Sequence, residues 1–171
     1  MFPRLKNTTP DRNVADITVE SKSYIMARIG WDFRAKTVYW QLVDPDYSLL
    51  ELGFEWPTGR LVDCSVPLFN GDIENAGREP ASKVEHGAPL FDLSLWPPEA
   101  PKPGARDNYL KQAGRIRLVR TSDGVLIACQ DEPRLRSIVY GEKLLCHFGQ
   151  DDELVGVTLM GNFPTLAETK S

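Results

Sequence analysis

The sequence predicts a β-rich α+β fold in which two antiparallel β-meanders form a sandwich or open barrel, with little helix. Two blocks, residues 24–70 and 114–163, place apolar residues at every second position, as strands with one buried face do. Between them, residues 71–113 are rich in proline and glycine. A chain of 171 residues is long enough for one self-sufficient core. We therefore expect residues 24–163 to form a single domain.

The first 23 residues are polar and contain two early prolines. This composition predicts an extended N-terminal arm that makes few buried contacts, so that its removal leaves the fold intact. The arm also lacks the apolar stretch of a secretory signal. Three cysteines, odd in number and far apart, favour a reducing compartment over a disulfide framework. We therefore predict a cytoplasmic protein.

The first meander, residues 24–70, reads as four strands. Pro57-Thr58-Gly59 supplies the turn before the last of them, since proline and glycine suit tight turns. The side chains expected to share the buried face are, strand by strand, Ile25, Ala27, Ile29 and Trp31, then Val38, Trp40 and Leu42, then Leu50, Leu52, Phe54 and Trp56, then Val62, Cys64, Val66 and Leu68.

The connection over residues 71–113 contains six prolines, which break long ladders and helices. Connections of this length are often functional, although Phe91, Leu93, Leu95 and Trp96 would equally tie this one to the core. Both interpretations stay open. A short helix is predicted over residues 107–113.

The second meander, residues 114–163, reads as five strands, and residues 164–171 are predicted to form a frayed tail. Its last hairpin repeats a pattern of the first meander. Leu49–Phe54 followed by Leu61–Val66 matches Leu144–Phe148 followed by Leu154–Leu159 in apolar positions. This match fits a duplicated meander, and it also fits two independent hairpins that obey one binary pattern.

Catalytic and metal-binding motifs are not apparent. The glycines form no phosphate-binding or nucleophile-elbow motif. Cys146 and His147 are adjacent on a strand and so point to opposite faces, which predicts a core thiol and a solvated or edge histidine. A zinc site would need Cys64, Cys129, His86 and His147 to converge from separate segments. We predict no enzyme, no cofactor and no metal.

Composition also limits the partners. A net charge of −4 argues against a nucleic-acid binder, and no apolar run approaches the ~18 residues of a membrane span. The densest basic group, Arg115, Arg117, Arg120, Arg134 and Arg136, is interpreted as the wet face of a strand. An acidic chain suits a basic protein partner instead.

The candidate partner-binding site is the acidic turn Asp151-Asp152-Glu153, which we expect at the tip of a hairpin. Strands would hold its three negative charges rigidly, with no basic neighbour in sequence. Acidic residues are also common in ordinary solvated turns, so that alternative stays open.

A resemblance adds a functional class. Residues 49–68, with their Pro57-Thr58-Gly59 turn, resemble the strand, Thr-Gly turn, strand element of immunity proteins from bacterial polymorphic and contact-dependent toxin systems. Residues 124–157 are similar to the β-rich C-terminal pattern of many small bacterial proteins of unassigned function. The resemblance implies a protein that neutralises a toxin by occluding its active site, and it transfers no site residue.

Two alternative functions remain. One is a sugar- or small-ligand-binding β module that stacks its ligand on a tryptophan, for which the candidates are Trp31, Trp40, Trp56 and Trp96. Strand phase favours core packing for the first three. The other alternative is a small enzyme. The sequence does not indicate an oligomeric state.

Overall fold

The structure, a computed structural model, describes residues 1–10, 18–19, 27–30, 36–76, 82–122 and 124–161. Of these residues, 56% lie in strands and 5% in helical turns, which confirms the β-rich prediction. The described strands form three sheets, none of them closed into a barrel, in an arrangement consistent with a β-sandwich. Trp31 and the predicted tail, residues 164–171, lie outside the described residues.

Fifteen strands and two 3-10 turns make up the described chain. The 3-10 turns are Arg106–Asn108 and Gln150–Asp152. The strands are β1 Leu5–Thr9, β2 Thr18–Val19, β3 Ala27–Gly30, β4 Thr37–Val43, β5 Leu49–Glu55, β6 Leu61–Leu68, β7 Ile73–Asn75, β8 Lys83–His86, β9 Ala88–Phe91, β10 Tyr109–Ala113, β11 Arg117–Arg120, β12 Gly124–Ala128, β13 Arg136–Tyr140, β14 Leu144–Phe148 and β15 Leu154–Met160.

The first sheet has the order β10-β4-β5-β6-β3-β2. Strands β4, β5 and β6 pair consecutively as a meander, and β3 joins the far side of β6. The predicted inward residues of β4 and β5, from Val38 to Phe54, are buried. Leu68 was expected inward but is exposed, because register shifts along the β5–β6 pair reverse its side of the sheet.

The second sheet has the order β7-β11-β12-β15-β14-β13-β8. It contains the meander β13-β14-β15 and the hairpin β11-β12, and it is extended at each edge by a parallel strand. Most buried apolar side chains of both sheets form one cluster. Those buried outside it are Val62, Val119, Leu126 and Val155. Leu61 and not the expected Val62 therefore faces the core, beyond the register shift between Gly53 and Phe54.

The two sheets repeat the same five-strand unit. The order β2-β3-β6-β5-β4 in the first matches β11-β12-β15-β14-β13 in the second. Both units also carry a register shift at the same place, between Gly53 and Phe54 in one and between His147 and Phe148 in the other. The hairpin match seen in the sequence therefore extends to five strands, which favours a duplication.

Strands β1 and β9 form a small antiparallel sheet between the two units. Next to it, Arg4 bridges to Glu153 of the second unit, and Arg60 of the first unit bridges to Leu90. Leu5 is only 8% exposed and belongs to the core cluster. The expectation that the arm makes few buried contacts is therefore wrong for this strand, because β1 pairs with β9 and this pairing packs Leu5 against the core.

The proline- and glycine-rich connection contains the four strands β7–β10. The helix predicted over residues 107–113 is wrong: Tyr109–Ala113 is a strand that pairs in parallel with β4, and Tyr109 stacks on Tyr39 with ring centroids 5.0 Å apart. Phe91 and Trp96 are buried against Phe54. These contacts support the interpretation that aromatic residues tie the connection to the core.

Candidate functional site

The predicted acidic turn joins β14 to β15. The Gly149 backbone N–H donates to the Glu153 carbonyl oxygen at 2.9 Å, which closes the turn. Asp151 and Asp152 both have φ near +56°, in the left-handed region that few side chains adopt readily. Aspartate tolerates this conformation better than most residues, which accounts for its use here.

The three carboxylates of this turn differ in their partners. Glu153 accepts hydrogen bonds from Nε and Nη2 of Arg4 at 3.0 and 2.8 Å, and Asp152 lies 3.4 Å from Nη1 of Arg136. Asp151 is exposed and, among the described residues, forms no direct ion pair, although its charge also interacts with the Arg4 guanidinium. The turn therefore presents one carboxylate, that of Asp151, that no cation contacts directly within the described part of the chain.

His147 occupies a different environment from the one predicted. It is 2% exposed, with Nδ1 2.8 Å from Ser137 Oγ and Nε2 2.7 Å from Thr158 Oγ1. Ser82 Oγ lies 2.6 Å from Ser137 Oγ and extends the chain of hydroxyls. Burial, with a smaller effect from Arg134, lowers the pKa of His147 to about 3. The expectation of a solvated or edge histidine is therefore wrong.

This histidine is poorly suited to general-base catalysis. A base works best when its pKa lies near the working pH, and that of His147 lies far below neutrality. Ser137 is completely buried and out of reach of a substrate. The cluster is best understood as a buried polar network whose members satisfy one another's hydrogen bonds.

All three cysteines are buried and free. Cys146 lies in the core, as strand phase predicted. Burial raises the pKa of the Cys129 thiol to about 12 and raises the pKa values of Cys64 and Cys146 as well. None of these thiols is disposed to act as a nucleophile, because the thiolate is the reactive form.

Three of the four tryptophans proposed as ligand platforms lie among the described residues, and these three pack inward. Trp40 and Trp96 are buried, and Trp56 is partly buried against the core. A pocket of about 80 Å³ lies beside Trp96, between Val38 and Lys102. It is much smaller than the ~300–1,000 Å³ of typical ligand sites. The buried tryptophan positions therefore weigh against the sugar-binding alternative.

Two of the five arginines predicted to lie on the solvent-exposed face of a strand, Arg117 and Arg136, form ion pairs. Arg117 contacts Glu74 at 2.8 Å and Asp131 at 2.7 Å, and Arg136 contacts Glu85 at 2.6 Å. These partners neutralise the two arginines, which reduces the positive charge available to a nucleic-acid phosphate.

The sequence did not single out the outer face of the first sheet, the face away from the core. Tyr47, at the tip of the β4–β5 hairpin, is 77% exposed and has φ of +67°. Val43 and Leu68 are also exposed, and Tyr109 is 40% exposed. The sequence pattern did not predict this exposed face, because Tyr109 was assigned to a helix and Leu68 was expected to point toward the core.

No protein-family model and no curated protein matches this chain. Among the described residues, no helix is long and apolar enough to cross a membrane. In the same part of the chain, no group of three or more metal-ligating side chains comes together.

Proposed function

We propose that this chain is a cytoplasmic immunity-type protein that binds a basic bacterial toxin domain and neutralises it by occluding the active site. Two sequence features support the proposal: the resemblance of residues 49–68 to immunity proteins and the net charge of −4. Opposite charges on two partners speed their encounter and exclude wrong partners.

The observation that carries the proposal is the presentation of Asp151. Its carboxylate is exposed, is in no direct ion pair among the described residues although Arg4 lies near enough to interact with its charge, and lies in a turn closed by a backbone hydrogen bond. A charge held in this way loses little conformational entropy when it meets a cation on a partner. Asp152 and Glu153 contribute less, because Arg136 and Arg4 already compensate them.

The test starts from the neighbouring reading frames: the proposal expects one of them to encode a large protein with a toxin-like C-terminal domain, and that domain is co-expressed with this chain. The chain is expected to restore growth and to bind a catalytically inactivated form of that domain. Failure of the parent chain to bind it or to restore growth would refute the proposal.

The acidic turn is tested separately by Asp151→Asn, which keeps the shape and removes the charge. Slower association at low salt is expected, with the difference lost at high salt. Replacing all three acidic residues is a weaker test, because it also breaks the ion pairs of Arg4 and Arg136. Identical association rates for Asp151→Asn and the parent would exclude a role for this charge.

A further inference from the structure

We propose that the outer face of the first sheet is a second surface that contacts the toxin domain, in addition to the acidic turn of the second sheet, with Tyr47 as its main anchor. This surface, called here the tyrosine face, consists of Tyr39, Val43, Tyr47, Leu68 and Tyr109. The inference rests on the proposed function and assigns it a contact surface.

Exposed apolar side chains concentrate on this face. Seven large apolar side chains are exposed among the described residues, and four belong to the first sheet or its β4–β5 hairpin: Val43, Tyr47, Leu68 and Tyr109. Single exposed apolar residues are ordinary on protein surfaces, whereas a cluster marks an interaction site.

The sheet register makes one part of this cluster continuous. Ala113, Val43, Leu49 and Leu68 are successive partners across β10, β4, β5 and β6. None of the four is buried, so they form an apolar row. The row ends at the hairpin whose turn carries Tyr47, because Val43 and Leu49 flank that turn.

A second, aromatic row runs parallel to the first and is separated from it by the polar row Lys111, Gln41 and Glu51. Tyr109 pairs with Tyr39, and Tyr39 pairs with Gly53. The two rings are stacked, with 12° between their planes, and a Cβ at Gly53 would lie 3.0 Å from the Tyr39 ring. The glycine thus leaves room for the aromatic ring on a solvent-accessible sheet face.

The turn that presents Tyr47 is held by several hydrogen bonds. Its anchor is the Asp44 carboxylate, which accepts from the Asp46 N–H at 2.8 Å and from the Ile116 N–H at 2.7 Å. The Asn70 side chain donates to the Asp46 carbonyl oxygen at 3.0 Å. The backbone at Tyr47 is therefore held by the turn, with its own N–H donating to the Asp44 carbonyl oxygen at 2.9 Å. Tyrosine is among the residues that contribute most to protein interfaces.

The charge of the face indicates which partner it suits. The outward side chains of β4, β5 and β10, together with the hairpin turn, include the carboxylates of Asp46, Glu51 and Glu55 and one cation, Lys111. A basic surface with an apolar depression for Tyr47 would complement this face. The proposed function likewise requires a toxin domain with a basic, positively charged surface.

The second unit provides a comparison for this face. The equivalents of Tyr39 and Gly53 are Ser137 and His147, which are both buried. The equivalent of Tyr109 is Val84, which is 54% exposed but has no aromatic neighbour at the paired position. Exposure of an aromatic pair is therefore not a requirement of the five-strand unit.

The experiment measures binding of the inactivated toxin domain by surface plasmon resonance. Tyr47→Asn removes the ring, and asparagine tolerates the left-handed backbone. Tyr109→Thr keeps a residue that suits a strand. The matched control is Val84→Ala, at the equivalent position of the second unit, and thermal melts verify that every variant is folded.

We expect Tyr47→Asn to weaken affinity about 30-fold or more, mainly through faster dissociation, and Tyr109→Thr to weaken it about tenfold. The dissociation constant of Val84→Ala should lie within about twofold of that of the parent, a change too small to indicate a lost contact. If the parent binds and both tyrosine variants match it, the tyrosine face is the wrong surface while the proposed function survives. If the parent itself does not bind, both proposals fall.

Discussion

Replacing Leu5 with alanine should destabilise the protein substantially, although Leu5 is only the fifth residue of the sequence. Leu5 pairs with Phe91, whose ring lies 4.7 Å from Phe54 and 5.9 Å from Phe148, measured between centroids. It therefore packs where the two units meet. Leucine-to-alanine changes in cores cost about 2–5 kcal/mol, and a residue 8% exposed at the end of a sandwich belongs near the lower limit.

For a domain of this size, about 2–3 kcal/mol corresponds to a fall of about 4–12 °C in the melting midpoint. The control is Lys6→Ala, on the next residue of β1, whose side chain is exposed. Circular dichroism melts of the two variants and the parent measure the difference. Midpoints for Leu5→Ala and Lys6→Ala within about 1 °C of each other would show that β1 is not docked in solution, and removal of the arm would then be harmless.

Further predictions concern buried groups and glycines. The pKa of His147 is about 3 in the folded protein and about 6.5 in the unfolded chain, so on acidification the unfolded state binds a proton that the folded state does not. The free energy of unfolding of the parent, measured in urea, should therefore fall by about 2 kcal/mol from pH 7 to pH 5. The variant His147→Gln should lose this pH dependence. Gly59→Ala should destabilise more than Gly104→Ala in the same melts, since both have positive φ but only at Gly59 would the new Cβ meet a backbone atom, the Phe91 oxygen at 2.0 Å. Native Cys146 should react with a thiol reagent far more slowly than in urea, and equal rates would contradict its burial.

Period-two alternation predicted which residues of the central strands face the core. Trp40 and Leu52 are buried as expected, because a strand with one buried face is apolar on that face and polar on the other. Alternation does not encode which strands pair, so β3 beside β6 could not be predicted. It also fails after a register shift, where one extra residue moves later side chains such as Leu68 to the other face.

Elements stabilised by distant partners left no local signal. Strand β1 contains one buried apolar residue, Leu5, among polar ones, and only its pairing with β9 explains its burial. The partners of the acidic turn were equally hidden. Arg4 and Arg136 lie 149 and 16 residues from the carboxylates that they contact, so a sequence neighbourhood without cations did not mean an unpaired turn.

The repeated unit separates features that the fold requires from features that it tolerates. Both units keep a bulky apolar residue just after the shared register shift, Phe54 in one and Phe148 in the other, and both are fully buried. Preservation at such positions reflects packing, since a core residue contacts many others. At the preceding position, which faces away from the core, the two units differ. The first unit has Gly53 beside the ring of Tyr39, and the second has the buried, hydrogen-bonded His147. Because the same five-strand unit accepts such different side chains at equivalent positions, the fold does not determine which residues occupy its outer faces. Residues on those faces can therefore change to suit a binding partner without loss of the fold.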